Sequence, residues 1–280
     1  MGAMLLFVCL TSLALAQEKV IYGEDHRRDV FEERDPVLRE LARSTAAKLP
    51  NLLIRLVGRE YFLRTVSLVD RGMCADERFA HQTTVAYCSG FLIAPDLLLT
   101  AGHCVKNKQD CDGSKWAFDY RVADGTQSKL TLPKTSVYSC KRIVAQKFEN
   151  APGADYALIQ LDRRVRDRAP LRVNSGDLPA LGEAVFTIGH PAGLPTKIAD
   201  GAQVRAHLSQ GFTANLDTFA GNSGSPVFNA RTLEVEGILI RGEVDWVPDE
   251  ARGCQRAHQC SDDGCEGESV YRFPTAPDMW

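Results

Sequence analysis

The sequence lacks an excess of charge of either sign. Its 33 Lys and Arg residues nearly balance 36 Asp and Glu residues, which leaves a formal net charge of −3. No global field therefore points to nucleic acid or to an anionic membrane, and neither partner is expected. The 280 residues also lack internal repeats, coiled-coil heptads and low-complexity blocks. With 44% hydrophobic and 25% charged residues, the composition predicts an ordinary globular fold with a sizeable core.

The apolar run at the N-terminus is too short for a permanent membrane anchor. It ends in Ala14-Leu15-Ala16, and small residues two positions apart after an apolar region are what signal peptidase accepts. Residues 1–16 are therefore predicted to be a signal peptide, and the protein is predicted to be secreted or periplasmic. The alternative is a buried N-terminal helix or strand.

Cysteine motifs of metal sites are absent. No CxxC pair occurs, and no His stands at ligand spacing from two cysteines, so neither a zinc site nor another metal or cofactor is expected. Of the nine cysteines, Cys9 lies in the predicted signal peptide. An even number of eight remains, which in an exported chain favours disulfides: Cys74, Cys88, Cys104, Cys111, Cys140, Cys254, Cys260 and Cys265.

The rest of the chain divides into three parts by its charge, strand pattern and cysteine content. Residues 17–50 are charged, with a helix predicted near Pro36–Lys48 because Asp35 can cap it and Pro36 suits the first turn. Residues 51–246 predict an all-β sandwich or barrel, with a break between two halves at Asp162–Asp177. Residues 247–280 are a polar, cysteine-rich tail. The predicted strands are Leu53–Val57, Thr84–Cys88, Gly90–Ile93, Leu97–Ala101, Arg142–Gln146, Ala157–Leu161, Ala184–Ile188, Gln203–His207, Ser225–Phe228 and Val235–Ile240.

Two of the chemical motifs supply a base and an acid. His103 ends the segment CSGFLIAPDLLLTAGHC, in which a strand, a turn and a second strand bring it to a fixed position. A general base needs such a position because proton transfer requires hydrogen-bond reach of the nucleophile. Asp155 opens the largely apolar strand DYALIQL. A buried carboxylate needs a partner, and the N–H of an imidazole would serve. The alternative for Asp155 is an ordinary turn residue.

The third motif supplies a nucleophile. Ser223 stands between glycines in GNSGSPV, on a tight turn that exposes its hydroxyl. The backbone N–H groups of Gly221 and Ser223 can point at one place and form an oxyanion hole. The chain order His, Asp, Ser differs from that of the α/β-hydrolases. The alternative is a loop that is merely rich in Gly and Ser.

These three motifs resemble those of the chymotrypsin/trypsin-like serine protease superfamily. GNSGSPVFN is most similar to the bacterial branch that includes the glutamyl endopeptidases. The resemblance implies two six-stranded antiparallel β-barrels with the active site between them, and a disulfide between Cys88 and Cys104. VIYGEDHR at 20–27 resembles the start of the mature enzymes of that branch, so a cut after Lys19 would remove residues 17–19 as a short propeptide. Because Asn222 replaces an acidic residue of trypsin-like enzymes, activation of the trypsin type is not expected.

The resemblance also implies which residues contact substrate. Asp217 lies six residues before Ser223, at the floor of the primary pocket in trypsin-like relatives, and an acidic residue there selects Lys or Arg. Two features oppose this assignment: Thr218 matches a residue that binds acidic side chains in the glutamyl branch, and Arg241 could pair with Asp217 or attract a substrate Glu. The His that this branch places on the following strand is replaced by Leu239. The other positions of the pocket wall are Ile240 and Gly242.

The motifs together predict a serine endopeptidase that acts on a protein or peptide through an acyl-enzyme, with cleavage after Lys or Arg. The alternatives are a Glu-specific endopeptidase of the same fold, an esterase on the same barrels, and a catalytically silent protease-like binding protein. The sequence leaves the oligomeric state open.

Overall fold

Short antiparallel strands form almost all of the regular structure. The computed structural model describes residues 20–124, 131–149 and 153–273. The helices in these ranges are α1 (Pro36–Arg43), α2 (Lys108–Asp112) and one-turn 3₁₀ helices at Asn51–Leu53, Val69–Arg71, Gly102–Cys104, Lys134–Ser136 and Pro191–Gly193. None of the helices in the described part of the chain is long and apolar enough to cross a membrane.

The strands follow one another along the whole of the described chain. They are β1 (Ile21–Tyr22), β2 (Arg27–Asp29), β3 (Thr45–Pro50), β4 (Ile54–Val57), β5 (Glu60–Leu63), β6 (Val66–Ser67), β7 (Thr83–Thr84), β8 (Cys88–Ala94), β9 (Leu97–Thr100), β10 (Ser114–Ala117), β11 (Thr131–Pro133), β12 (Val137–Phe148), β13 (Asp155–Leu161), β14 (Ala184–Gly189), β15 (Lys197–Leu208), β16 (Gly211–Ala214), β17 (Pro226–Asn229), β18 (Val235–Arg241), β19 (Trp246–Asp249), β20 (Cys254–Ala257), β21 (Gln259–Cys260) and β22 (Glu268–Tyr271).

Twelve of these strands form two closed barrels. The first has the order β10–β12–β13–β9–β8–β3. The second has the order β14–β17–β18–β22–β16–β15 and closes through the pairing of β15 with β14. All pairs within the barrels are antiparallel, and β2 joins β15 from outside. The predicted pair of six-stranded antiparallel barrels is therefore confirmed.

The cores of the two barrels are continuous. One cluster of buried apolar side chains contains Leu92 and Trp116 of the first barrel together with Phe186 and Phe228 of the second. The rings of Phe186 and Phe228 stack with their centroids 4.7 Å apart. Because apolar burial is the main favourable term in folding, this shared core holds the two barrels against each other and fixes the cleft between them.

The barrels extend beyond the predicted domain range of 51–246. β3, in the predicted N-terminal segment 17–50, pairs with β8 and β10 of the first barrel. β22, in the predicted tail 247–280, pairs with β16 and β18 and completes the second barrel. The predicted domain boundaries at 51 and 246 therefore need correction. Both flanking segments are polar in sequence, but each contributes a barrel strand whose partners lie far away in the chain.

Candidate active site

His103 is held rigidly at the end of β9. It lies in the one-turn helix Gly102–Cys104. No side chain fits at Gly102, because the carbonyl oxygen of Lys147 occupies the space that a Cβ needs. On the other side of His103, the disulfide Cys88–Cys104 ties the chain back to β8. The imidazole is thus fixed through both of its neighbours.

Asp155 and His103 form a hydrogen-bonded pair. Asp155 is the first residue of β13 and is 0% exposed. Its Oδ1 accepts a hydrogen bond from the backbone N–H of His103 at 3.0 Å, and its Oδ2 faces the imidazole Nδ1 at 2.8 Å. A carboxylate beside Nδ1 favours the tautomer with the proton on that nitrogen and leaves Nε2 as the base. Nε2 is buried and has no hydrogen-bond partner within the described chain.

Asp155 has a second charged neighbour in Arg241. This residue ends β18, and its Nη2 lies 3.8 Å from the same Oδ2 that faces His103. The sequence offered two roles for Arg241, namely a pair with Asp217 or the attraction of a substrate Glu. In the structure its ion pair is with Asp155, so its charge is already partly compensated by the acid of the site.

Ser223 opens into the same cavity as His103. Gly221 and Gly224 flank its turn with φ values of +101° and +89°, which a residue with a Cβ rarely adopts. The cavity has a volume of about 440 Å³, and its walls are formed by Tyr87, Cys88, His103, Cys104, Lys106, Phe148, Ala220, Gly221 and Ser223. His103 and Ser223 therefore border one cavity. Catalytic hydrogen bonds are often long in unliganded structures and tighten when substrate binds.

The backbone N–H of Gly221, in the loop before Ser223, is one of the two predicted oxyanion-hole donors. Within the described ranges, the N–H of Gly221 donates to no acceptor, and Gly221 lines the cavity. The preceding N–H of Ala220 is held by Asp245, whose Oδ2 accepts it at 2.9 Å. The assignment of Gly221 and Ser223 as oxyanion-hole donors stays a prediction, and this geometry is compatible with it. No sequence motif points to this role of Asp245.

Asp217 is occupied by the N-terminal segment. Its Oδ1 accepts the backbone N–H of Tyr22 at 2.8 Å, and its Oδ2 accepts that of His26 at 2.7 Å. The His26 Nδ1 lies 3.5 Å from Oδ2. Burial raises the pKa of the Asp217 carboxyl to about 6, although these two hydrogen bonds act in the opposite direction. Asp217 is therefore placed as an anchor for residues 20–26, and its predicted role at the pocket floor is not visible in these contacts.

A second carboxylate lies where the predicted pocket residues meet. Glu268 of β22 is 0% exposed and accepts a hydrogen bond from the hydroxyl of Thr218. Its carboxylate also fills the space that a Cβ on Gly242 would need, and it lies 3.4 Å from the N–H of Glu243. Sequence reasoning missed Glu268, because it placed residues 247–280 in a tail outside the barrels.

The remaining predicted pocket residues belong to the barrel interior. Leu239 is 0% exposed and packs in an apolar cluster with Val227 and Val270. Ile240 is also buried and belongs to the core shared by the two barrels. Both lie on β18, the strand that ends at Arg241.

All eight cysteines outside residues 1–16 are paired. The disulfides are Cys74–Cys254, Cys88–Cys104, Cys111–Cys140 and Cys260–Cys265. Groups of His, Cys and Asp residues that come close enough to share a metal ion each contain two of these bonded cysteines. A sulfur in a disulfide cannot act as a thiolate ligand, so these groups are not suited to hold zinc.

Comparison with known structures finds similar folds at low identity. Rv3671c of Mycobacterium tuberculosis H37Rv, in an inactive mutant form, has a TM-score of 0.48 and 14% identity, covering 90% of this chain and 91% of that one. A serine endoprotease of Yersinia pestis has a TM-score of 0.44 and 16% identity, with coverage of 72% and 55%. A Glu endopeptidase in complex with MPD has a TM-score of 0.48 and 17% identity, with coverage of 85% and 94%.

Comparison by sequence identifies a curated relative and a protein family. An extracellular metalloprotease of Bacillus subtilis (strain 168) is 26% identical over an alignment of 159 residues, and the match covers 54% of this chain and 49% of that protein. The chain thus spans about half the length of this curated relative. The trypsin-like peptidase domain family matches residues 88–238, a range that is more than half of the chain and contains His103, Asp155 and Ser223. The chain belongs to the trypsin-like peptidase family.

Proposed function

We propose that this chain is a serine endopeptidase with Ser223 as nucleophile, His103 as general base and acid, and Asp155 as the residue that orients the imidazole. The observation that carries the proposal is the Asp155–His103 pair, whose unpartnered Nε2 is buried beside the cavity that Ser223 lines. Family membership supports the same chemistry.

In the proposed reaction, the hydroxyl of Ser223 attacks the peptide carbonyl carbon while Nε2 of His103 takes its proton. The N–H groups of Gly221 and Ser223 stabilise the resulting oxyanion. The imidazolium then gives its proton to the leaving amine, and an acyl-enzyme remains on Ser223. Water, activated by the same imidazole, hydrolyses the ester and returns the proton to Ser223.

Replacement of the nucleophile tests the proposal. Ser223→Ala should lower kcat by on the order of 10⁶ while the thermal unfolding curve stays close to wild type, because the triad acts as a unit. A fluorescent peptidyl phosphonate should label the wild type and the exposed-site control Ser261→Ala, but not Ser223→Ala. Near-wild-type hydrolysis by Ser223→Ala would end the triad assignment. A wild type that neither hydrolyses peptides nor reacts with the phosphonate would favour the silent binding protein.

We also propose export to an oxidising compartment. The four disulfides support this proposal, because such bonds persist outside the reducing cytosol. The name of the Bacillus subtilis relative, an extracellular protease, agrees with it.

The predicted signal peptide 1–16 and the short propeptide 17–19 lie outside the described residues. Val20, the predicted start of the trimmed chain, is fully buried, and its carbonyl accepts the N–H of Thr218 at 3.2 Å.

For specificity, we propose cleavage after Lys or Arg, with Glu268 rather than Asp217 as the selecting carboxylate. Glu268 contacts both Thr218 and Gly242, which are predicted pocket positions, whereas the hydrogen bonds of Asp217 are with the backbone of the N-terminal segment. A buried carboxylate favours a cationic partner through charge-assisted hydrogen bonds.

Cleavage after Glu is less well supported. Leu239, which replaces the His of the glutamyl branch, packs in the apolar cluster of the second barrel. The charge of Arg241 faces Asp155. Leu239 therefore offers no positive charge to an acidic substrate side chain, and the charge of Arg241 is partly compensated by Asp155.

Peptides that differ only in Arg, Glu or Phe at the cleaved position test this specificity. Glu268→Gln should lower the preference for Arg over Phe, measured as the ratio of kcat/KM values, by on the order of 100-fold, since one partner of a buried charge pair is neutralised. The matched variant Asp217→Asn should keep the preference. The opposite pattern would make Asp217 the selector, and a wild type that prefers Glu would favour the glutamyl alternative.

A further inference from the structure

Ser89 connects the first barrel to the loop that carries the nucleophile. It lies on β8 and is 0% exposed. Its backbone N–H donates to the carbonyl oxygen of Ser223 at 2.8 Å, and its hydroxyl donates to the carbonyl oxygen of Gly221 at 2.8 Å. One residue of the first barrel thus holds two carbonyl groups of the second barrel, one on each of the residues predicted to form the oxyanion hole.

His190 in turn controls the hydroxyl of Ser89. It follows β14 and is also 0% exposed. Its backbone N–H donates to Ser89 Oγ at 3.1 Å, and its Nδ1 lies 3.0 Å from the same oxygen. On the other side of the ring, Nε2 lies 3.1 Å from the hydroxyl oxygen of Thr196. Burial, with a smaller contribution from the charge of Lys197, lowers the pKa of His190 to about 3, so the ring is neutral and carries one proton.

The position of that proton decides where the Ser89 hydroxyl points. With the proton on Nδ1, His190 donates to Ser89 Oγ, and the single hydroxyl hydrogen of Ser89 is available for Gly221. With the proton on Nε2, Nδ1 becomes an acceptor and competes for the same hydrogen. The carbonyl oxygen of Gly221 would then lose this donor, and an unsatisfied buried polar group is costly.

The first tautomer also satisfies the other end of the ring. Nε2 then accepts the hydroxyl hydrogen of Thr196. The carbonyl oxygen of Tyr120, which the Thr196 hydroxyl would otherwise reach, still accepts the backbone N–H of Thr196 at 2.8 Å. The tautomer with the proton on Nδ1 therefore leaves no member of this network without a partner.

We propose that Ser89 and His190 are positioning residues for the oxyanion hole, which act by fixing the Gly221 carbonyl through the Ser89 hydroxyl. The inference rests on the proposed peptidase function. Glycine has wide backbone freedom, and Gly221 at a φ of +101° has no side chain to restrain it. External hydrogen bonds to its carbonyl group must therefore restrict the rotation about its backbone bonds that would reorient its N–H.

Ser89→Ala tests the role of the hydroxyl. We expect kcat to fall by on the order of 10-fold to 100-fold, somewhat less than direct removal of an oxyanion donor, with KM changed by less than twofold. Affinity for a peptide aldehyde, which forms an oxyanion on Ser223, should fall by the same factor, while affinity for the corresponding peptide acid should stay unchanged. The control Thr100→Val removes another buried hydroxyl, which donates to the carbonyl of Ser89 at 2.6 Å, and should keep the wild-type kcat.

Substitution of His190 provides a rescue test. His190→Ala should reproduce the kcat loss of Ser89→Ala, whereas His190→Asn, whose amide can place a donor near the position of Nδ1, should recover most of it. ¹⁵N NMR of the imidazole should show the proton on Nδ1. A Ser89→Ala enzyme with wild-type kcat, an equal loss in Thr100→Val, or a proton on Nε2 would each overturn the inference. If Ser223→Ala is inactive in the same assay, such a result leaves the proposed function intact.

Discussion

Asp217 is an acid whose surroundings favour its protonated form. Desolvation is the largest cause, and the nearby charge of Asp25 adds to it, so that the pKa of Asp217 rises to about 6. The two backbone N–H groups of Tyr22 and His26 favour the ionised form but do not outweigh burial. Asp25 shows the opposite balance. Burial raises its pKa, but the hydrogen bonds and charge of Arg27 lower it overall.

This difference predicts a pH dependence of stability. Since the pKa of Asp217 is higher in the folded state than in the unfolded state, the folded state binds more protons between about pH 4 and pH 6, and its stability falls as the pH rises through that window. Relative to Asp217→Asn, wild type should therefore lose about 2 kcal/mol of unfolding free energy between pH 4 and pH 7. Urea unfolding of both proteins at several pH values measures the change.

Asp25→Asn is the control for this titration. Because the pKa of Asp25 is lowered in the folded protein, wild type should gain stability relative to Asp25→Asn as the pH rises through the range where the unfolded carboxyl ionises. A difference between wild type and Asp217→Asn that stays constant from pH 4 to pH 7 would contradict the raised pKa.

Single residues differ in how much of their role can be predicted from sequence. His103, Asp155 and Ser223 stand in motifs whose neighbours are close in the chain, so the sequence alone allows their roles to be proposed. Ser89 and His190 are 101 positions apart and meet only because the two barrels pack together. Glu268 likewise gains its position from β22, whose barrel partners no local pattern identifies.

At the scale of elements, apolar strands in the barrel interior were predicted best. The interval Leu97–Ala101 corresponds to β9, and Ala157–Leu161 corresponds to most of β13. The prediction at Arg142–Gln146 found only the middle of β12, which continues over twelve residues, Val137–Phe148. The ends of that strand are set by pairing with β10 and β13 rather than by its own residues. Thr84–Cys88 was predicted as one strand, but it spans the end of β7 and the start of β8.

The first helix shows how tertiary pairing overrides local propensity. Its start was predicted correctly, because Asp35 caps Val37 and Pro36 occupies the first turn. The predicted range extends to Lys48, and Ala46, Ala47 and Lys48 are compatible with a helix by propensity. In the structure the helix ends at Arg43, and residues 45–50 form β3 between β8 and β10. Closing the first barrel requires this strand, and its pairing outweighs a propensity of a few tenths of a kcal/mol per residue.

At the scale of the whole molecule, the disulfides differ in how much chain they close. Cys74–Cys254 joins residues 180 positions apart and ties the loop after β6 to β20 of the C-terminal region. Cys260–Cys265 joins residues only five positions apart and closes a short loop. In the chain-entropy description a cross-link stabilises by restricting the unfolded chain, and this restriction grows with the length of the closed loop.

We therefore expect Cys74→Ala/Cys254→Ala to destabilise the protein much more than Cys260→Ala/Cys265→Ala. The chain-entropy relation gives about 5 kcal/mol for the long loop and about 2 kcal/mol for the short one. Equilibrium unfolding in urea, without reductant, measures both losses against wild type, and Ser223-directed phosphonate labelling checks that each variant keeps its cleft. Cys74 and Cys260 are both buried, whereas Cys254 is half-buried and Cys265 is exposed, so the loss of apolar contact acts in the same direction as loop length. Equal losses in the two double variants would show that local packing around the sulfurs, and not restriction of the unfolded chain, sets the contribution of these cross-links.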